Sequence, residues 1–137
     1  MRDHLYRAET EKSPAAFAAD LKAVLEKNGF IIGNEAAMDM KKTFSEHGAE
    51  VGADFDLHMI QVCKPSKSAK SLSANPERSI LMPKFIMAFS RDGKTQIRYH
   101  HYSEETIGET VDDPVYPASL AQTYRKIIAM IEETLKK

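Results

Sequence analysis

Apolar residues recur with a helical period in two long stretches of the chain. The first stripe is Phe17, Leu21, Val24 and Leu25, and the last is Leu120, Tyr124, Ile127, Ile128, Ile131 and Leu135. Offsets of three, four and seven residues place such side chains on one face of a helix. Ser13 and Pro14 are typical of the start of a helix, and Asn28-Gly29 of its end. We therefore predict two amphipathic helices, the second beginning near Ser119.

Strand patterns occupy most of the sequence between these helices. Alternation of apolar and polar residues predicts a weak strand over residues 4–9, a second over 30–36, a third over 55–63 and a return strand over 96–101. Residues 80–90 are almost continuously apolar, as expected of a central strand covered on both faces. Asp92-Gly93, which tolerates positive φ angles, predicts a hairpin turn between the last two strands.

The remaining segments predict short helices and loops. Asp39 is expected to cap one short helix, and Ser66 is expected to cap another that ends at Asn75. Residues 103–117 are predicted to form a polar connection. The resulting order β-α-β-α-β-α-β-β-α, with its hairpin, predicts an α+β fold with a largely antiparallel sheet and helices packed on it. No repeat or linker divides the chain, so residues 1–137 are predicted to form a single domain.

Composition and charge restrict the possible partners. The 137 residues are 42% hydrophobic and 28% charged, with a formal net charge of -1. A nucleic-acid-binding protein usually carries a basic excess, so we expect no nucleic-acid partner. The polar start and the lack of a run of about 18 apolar residues predict neither a signal peptide nor a membrane span. With Cys63 as the single cysteine, a cytoplasmic location is expected.

The segment around Cys63 is the first candidate site. A strand is predicted to end at Cys63 and a helix to begin at Ser66, with Lys64, Lys67 and Lys84 adding positive charge. Helix starts attract anions and lower the pKa of a nearby thiol, which would give a site for a small anionic or polar ligand. The alternative is a buried, unreactive cysteine beside a capping serine and solvated lysines. We favour this alternative, which predicts slow alkylation of the thiol.

A weaker alternative is a metal site on the third strand. Asp54, Asp56 and His58 alternate and would project to one side, and His101 could approach from the hairpin. The competing interpretation is that these residues form the solvent-exposed face of a strand. Because the histidines are scattered and there is one cysteine, we expect no structural zinc. No phosphate loop, nucleophile elbow or zinc-protease motif is present, and no cofactor is predicted.

Three functions remain open at this point. The absence of a catalytic set and an inner face expected to be apolar and rich in methionine favour a non-enzymatic domain that binds a small ligand. The alternatives are a homodimeric protein-interaction module and a thiol- or metal-dependent enzyme or sensor centred on Cys63. Whether the protein is an enzyme is left open.

Several short motifs resemble a family known as domain of unknown function 302. They are Lys27-Asn28-Gly29-Phe30, Val62-Cys63-Lys64-Pro65, Ala69 and Leu72, Asn75-Pro76, and Leu81-Met82-Pro83. The resemblance covers nearly the whole chain. It implies a compact α+β domain similar to TATA-box-binding-protein-like folds, often paired as a homodimer, with no established activity. We therefore expect a homodimer in solution. Members commonly carry a cysteine where this chain has Lys84, so a function that needs two thiols is not expected here.

Overall fold

The protein folds as one antiparallel sheet with helices packed on it. The structure, a computed structural model, describes residues 4–137; residues 1–3, part of the polar start considered above, lie outside the described residues. The strands are β1 (Leu5–Thr10), β2 (Ile31–Ile32), β3 (Leu57–Cys63), β4 (Phe85–Arg91) and β5 (Lys94–His100). The helices are α1 (Pro14–Lys27), α2 (Met40–Glu46), α3 (Pro65–Ala74), α4 (Glu104–Thr110) and α5 (Tyr116–Leu135). Two 3-10 helices span Glu35–Ala37 and Pro76–Leu81.

The sheet has the strand order β1-β5-β4-β3-β2, and each neighbouring pair is antiparallel. The predicted hairpin joins β4 to β5. Asp92 and Gly93 have φ angles of 54° and 78°, which a two-residue turn of this hand requires. The α+β fold class and the antiparallel sheet are therefore confirmed, and β4 lies at the centre of the sheet as expected.

One face of the sheet, the inner face, forms the core together with α1 and α5. It contributes Ile60, Val62, Ile86, Ala88, Ile97 and Tyr99, all buried. They pack against the stripe of α1, including Phe17, Leu21 and Leu25, and against Leu120, Tyr124, Ile127 and Ile131 of α5. Ser13 accepts a hydrogen bond from the Ala16 N–H at the start of α1, as the sequence predicts. Both long helices are thus explained by their apolar stripes.

The outer face of the sheet differs from the prediction. Phe85, Met87 and Phe89 are only partly buried, so the expectation that β4 is covered on both faces is wrong. Met59 and Met87 are paired on this outer face, and the expected methionine-rich inner face is not found. Uninterrupted apolar sequence predicted a strand correctly, but it could not show that alternate side chains have different environments.

Several boundaries also differ. The polar connection contains α4, which buries Ile107 and is capped by Ser103. Helix α5 begins at Tyr116 rather than near Ser119, and β2 ends at Ile32. Ile80, which the sequence places in the central strand, lies instead in the 3-10 helix before β4 and is 56% exposed. Within residues 4–137 no helix has the length and apolarity needed to cross a membrane.

A buried carboxylate joins the 3-10 helix before β4 to the start of α5. One oxygen of Asp113 accepts hydrogen bonds from Arg78 Nε and Asn75 Nδ2, both at 2.8 Å. The other oxygen accepts from the backbone N–H groups of Val115 and Tyr116 at 2.9 Å. The hydrogen bonds from Arg78 and Asn75 hold the pKa of Asp113 well below its usual range. The network therefore anchors α5 against the segment that follows α3.

Asp113→Asn should lower the melting temperature at neutral pH, because the amide keeps part of the capping geometry but loses the charge that faces Arg78. The folded-state pKa of Asp113 is depressed, so its stabilisation is present above the unfolded pKa of about 3.9 and is lost as pH falls towards the folded value. The difference in melting temperature between the two proteins should therefore shrink below about pH 4.

Asp112→Asn is the matched control, since Asp112 is exposed and adjacent. Melting curves between pH 2 and 7 test the account. Equal behaviour of the two variants would show that the Asp113 network does not stabilise the fold.

Tyr99 contains a buried hydroxyl without a hydrogen-bond partner among the described residues. The residue is fully buried, and burial raises the pKa of its phenol well above the usual value. An unsatisfied buried hydroxyl costs about 1–3 kcal/mol. Tyr99→Phe should therefore leave the free energy of unfolding unchanged or raise it by about 1 kcal/mol.

Tyr116→Phe is the comparison, because the Tyr116 hydroxyl donates to the Arg78 carbonyl at 3.3 Å. Its removal should cost about 0.5–1.5 kcal/mol in urea unfolding. A larger loss for Tyr99→Phe than for Tyr116→Phe would contradict the assignment of the unpaired hydroxyl.

Candidate anion-binding site

A cavity lies where the inner face of the sheet meets α3 and α5. It is lined by Phe30, Val62, Lys64, Lys67, Ser68, Ser71, Met82, Lys84, Tyr116, Ser119, Leu120 and Thr123. Three of the five ligand-site residues predicted from the sequence, Lys64, Lys67 and Lys84, are therefore brought together. The cavity is partly open to solvent and has a volume of about 30 Å³, enough for one or two water molecules.

Lys84 is the most buried cation of the cavity, with 9% of the residue exposed. Its backbone lies opposite Val62, whose N–H donates to the Lys84 carbonyl at 2.9 Å. The residue directly precedes β4, and alternation places its side chain on the same inner face as Ile86 and Ala88. The two-residue period of the strand therefore places the Lys84 side chain in the interior.

The Lys84 ammonium is incompletely compensated. Nζ donates to the Met82 carbonyl at 2.8 Å and, more weakly, to the Met82 sulfur at 3.6 Å. An ammonium has three N–H donors, and no carboxylate of residues 4–137 lies within ion-pair distance. Burial lowers the pKa of Lys84; nearby Cys63 opposes this effect, and Lys67 adds to it.

Lys67 approaches the cavity from the first turn of α3. Its Nζ donates to Thr123 Oγ1 of α5 at 2.6 Å, so α3 and α5 are joined by this hydrogen bond. Thr123 is itself buried and donates to the Ser119 carbonyl at 3.3 Å. Partial burial lowers the pKa of Lys67, and the charges of Lys126 and Lys64 lower it further.

Lys64 lies between the cavity and a neighbouring open cleft. Its Nζ is 5.5 Å from the centre of the Phe30 ring, and its Cε would lie 3.5 Å from a β-carbon added at Gly29. The cleft has a volume of about 320 Å³ and shares Phe30 and Lys64 with the cavity. Its other lining residues are Asn28, Lys126, Ala129, Met130 and Glu133.

The other two predicted ligand-site residues are not in the cavity lining. Ser66 is exposed and does not cap α3, whose cap position is Lys64, so the capping prediction is wrong. Pro65 takes the first helical position and moves the helix start towards Lys64. Cys63 is half-buried on the outer side of β3, not in the core; its Sγ is 3.7 Å from Ser68 Oγ, and Ser68 lines the cavity.

Of the proposed metal ligands, Asp56 and His58 lie near each other, but the structure does not assemble the predicted set. His58 is buried on the inner face at 5% exposure, so the interpretation of a solvent-exposed face is wrong for this residue. Its Nδ1 is 3.7 Å from Asp56 Oδ1 and has no hydrogen-bond partner in the described part of the chain. His101 instead packs against Tyr99 and Tyr124. No group of three His, Cys, Asp or Glu side chains in residues 4–137 could hold a metal ion.

Sequence reasoning missed the hydroxyl groups of the cavity. Ser68 and Ser71 lie one turn apart on α3, and Ser119 and Thr123 lie one turn apart on α5. The signal available was Thr123, a polar residue three positions after Leu120 in an otherwise apolar stripe. The serines could not be found in this way, because short polar residues are common on exposed helix faces.

Comparisons with known proteins support the fold and assign no activity. The family profile "Domain of unknown function DUF302" matches residues 6–134. The crystal structure of an uncharacterized conserved DUF302 protein from Bacillus stearothermophilus is similar, with a TM-score of 0.75 and 16% identity. The similarity covers 94% of this chain and 96% of that one. No curated protein matches the chain. Because the family profile spans nearly the full sequence, the chain belongs to the DUF302 family of domains of unknown function.

Proposed function

We propose that the protein is a non-enzymatic binding domain for a small anion, with its site in the lysine-lined cavity. The observation that carries the proposal is the buried Lys84 ammonium, which has no carboxylate partner in residues 4–137. A buried charge is costly unless it is paired. A bound anion would supply the missing charge and accept the remaining N–H groups.

The size of the cavity and its donors specify the ligand chemistry further. A cavity volume of about 30 Å³ suits a halide or a single carboxylate group rather than a large organic molecule. Hydroxyl groups of Ser68, Ser71 and Ser119 line the same cavity and can donate to an oxyanion. The sequence predicts a small-ligand site on an apolar, methionine-rich inner face, whereas the site proposed here is a small polar cavity at the edge of the core.

The absence of an assembled catalytic group favours binding over reaction. Among the described residues, the cavity lining contains lysines and hydroxyls but no carboxylate, histidine or cysteine side chain that could act as a paired acid and base. The single half-buried thiol fits a reducing compartment, and we infer a cytoplasmic location.

Acetate should raise the melting temperature of the protein, since it binds the folded state. Lys84→Met keeps much of the side-chain length and removes the charge, so it should reduce acetate affinity about tenfold or more. The same variant should be at least as stable as the wild type in acetate-free buffer, because an uncompensated buried charge has been removed. Calorimetry and melting curves at constant ionic strength measure both effects.

Lys70→Met is the control for Lys84→Met, since Lys70 is exposed on α3 and outside the cavity lining. It should bind acetate as the wild type does. If acetate and chloride fail to bind the wild type, or if the two variants behave alike, the proposed site is wrong.

A second candidate function, homodimerisation, rests on the outer face of the sheet. The outer patch, defined as Leu57, Met59, Phe85, Met87 and Phe89, is contiguous because Leu57 pairs with Phe89 and Met59 with Met87. All five side chains are partly exposed. Contiguous apolar surface of this kind is typical of an interaction site, and a second copy of the chain could cover it.

Light scattering should give a dimer mass for the wild type at micromolar concentration and a monomer mass for Met87→Lys. Ile80→Lys is the control, because Ile80 is an exposed apolar residue outside the patch. A monomeric wild type would refute the dimer, and a dimeric Met87→Lys would exclude this patch as the interface.

A further inference from the structure

The cavity and the open cleft together contain four lysines from three parts of the chain. Lys67 and Lys84 line the cavity, Lys126 lines the cleft, and Lys64 lines both. Phe30 is also common to both spaces, so the cavity and the cleft adjoin at Phe30 and Lys64. A ligand with one end in the cavity could therefore reach the cleft by passing these two side chains.

In the described part of the chain, two lysines of the cleft, Lys64 and Lys126, are not neutralised by its one carboxylate, Glu133. Glu133, which also lines the cleft, forms an ion pair with Lys27. Neither Lys64 nor Lys126 makes an ion pair within residues 4–137. Lys64 lies over the Phe30 ring, and Lys126 is exposed on α5. Two further cations are thus available to an anionic group that is outside the cavity.

We infer that the ligand is a short linear dianion of the dicarboxylate class, with one carboxylate in the cavity and the other in the cleft between Lys64 and Lys126. This inference rests on the proposed function and extends it from a single anionic group to two groups held at separate positions. The hydrocarbon between the carboxylates would pass the Phe30 ring, which borders both spaces. The volume of about 320 Å³ leaves room for the second group with its water.

The different burial of the lysines favours a ligand with two separated carboxylates over a ligand with one compact charge. Lys84 is buried, whereas Lys126 is exposed, so the first carboxylate would be desolvated and the second would stay hydrated. A pair in the cavity should therefore contribute more to affinity than the pair in the cleft. The second carboxylate would mainly distinguish a dicarboxylate from a monocarboxylate of equal length.

Calorimetry at constant ionic strength tests this with two matched series. Succinate, glutarate and adipate are compared with butyrate, valerate and hexanoate, and acetate is the reference for the cavity alone. At least one dicarboxylate should bind about two- to fivefold more tightly than the monocarboxylate of equal length, the increment expected of one exposed ion pair. Inorganic phosphate, a compact anion, should not gain from the cleft.

Lys126→Ala and Arg125→Ala form the decisive pair of variants. Both remove one positive charge from the exposed surface of α5, but Arg125 lines a different cleft, beside Tyr124 and Ile128. Lys126→Ala should reduce the advantage of the dicarboxylate, with Lys64 left as the remaining partner, and should change acetate binding little, whereas Arg125→Ala should preserve both.

The outcomes separate this inference from the proposed function. If acetate does not bind, the proposed function itself fails. If acetate binds but no dicarboxylate exceeds its matched monocarboxylate, the inference is overturned. Equal loss of dicarboxylate affinity in Lys126→Ala and Arg125→Ala would also overturn it, since only the net charge would then matter.

Discussion

Burial of one face of the antiparallel sheet against α1 and α5 is the constraint on which the rest of the structure depends. Every second residue of β3, β4 and β5 must face these helices, and most of those positions are apolar. The same alternation places Lys84 at the end of the buried row that continues through Ile86 and Ala88. The position of the lysine thus follows from the packing of the core, and its charge remains to be compensated.

The elements around Lys84 supply partial compensation. Met82 accepts hydrogen bonds from the ammonium through its carbonyl oxygen and, more weakly, its sulfur, while Lys67 donates to Thr123 of α5. The carboxylate of Asp113, which lies at the start of α5, is already occupied by Arg78 and Asn75. Asp113 therefore joins the 3-10 helix before β4 to α5 and does not neutralise Lys84. Within residues 4–137, the cavity lining contains only cations and neutral groups. An arrangement of this kind favours an external anion over an internal ion pair.

Much of the fold could be predicted because its signals are local. The stripes of α1 and α5 and the Asp92-Gly93 turn identified two helices and a hairpin, whereas the helix over Glu104–Thr110 was missed because Ile107 is its only buried residue. The site was found in part, since Lys64 and Lys67 follow the end of β3 directly. Its other wall was missed: Thr123 interrupts the apolar stripe of α5, but the packing of α5 on the sheet decides that Thr123 and Ser119 reach the cavity. The predicted exposure of His58 was wrong for a related reason. Alternation shows that the two faces of a strand differ, but tertiary packing decides which face is buried.

Direct observation of an anion beside Lys84 would test this account most directly. Crystals of the wild type and of Lys84→Met can be soaked in sodium bromide, and the halide can be located by its anomalous scattering. The account predicts a bromide in the cavity in contact with Lys84 Nζ in the wild type, and an empty position in Lys84→Met at the same salt concentration. Bromide found only at exposed lysines of the wild type, with none in the cavity, would contradict it.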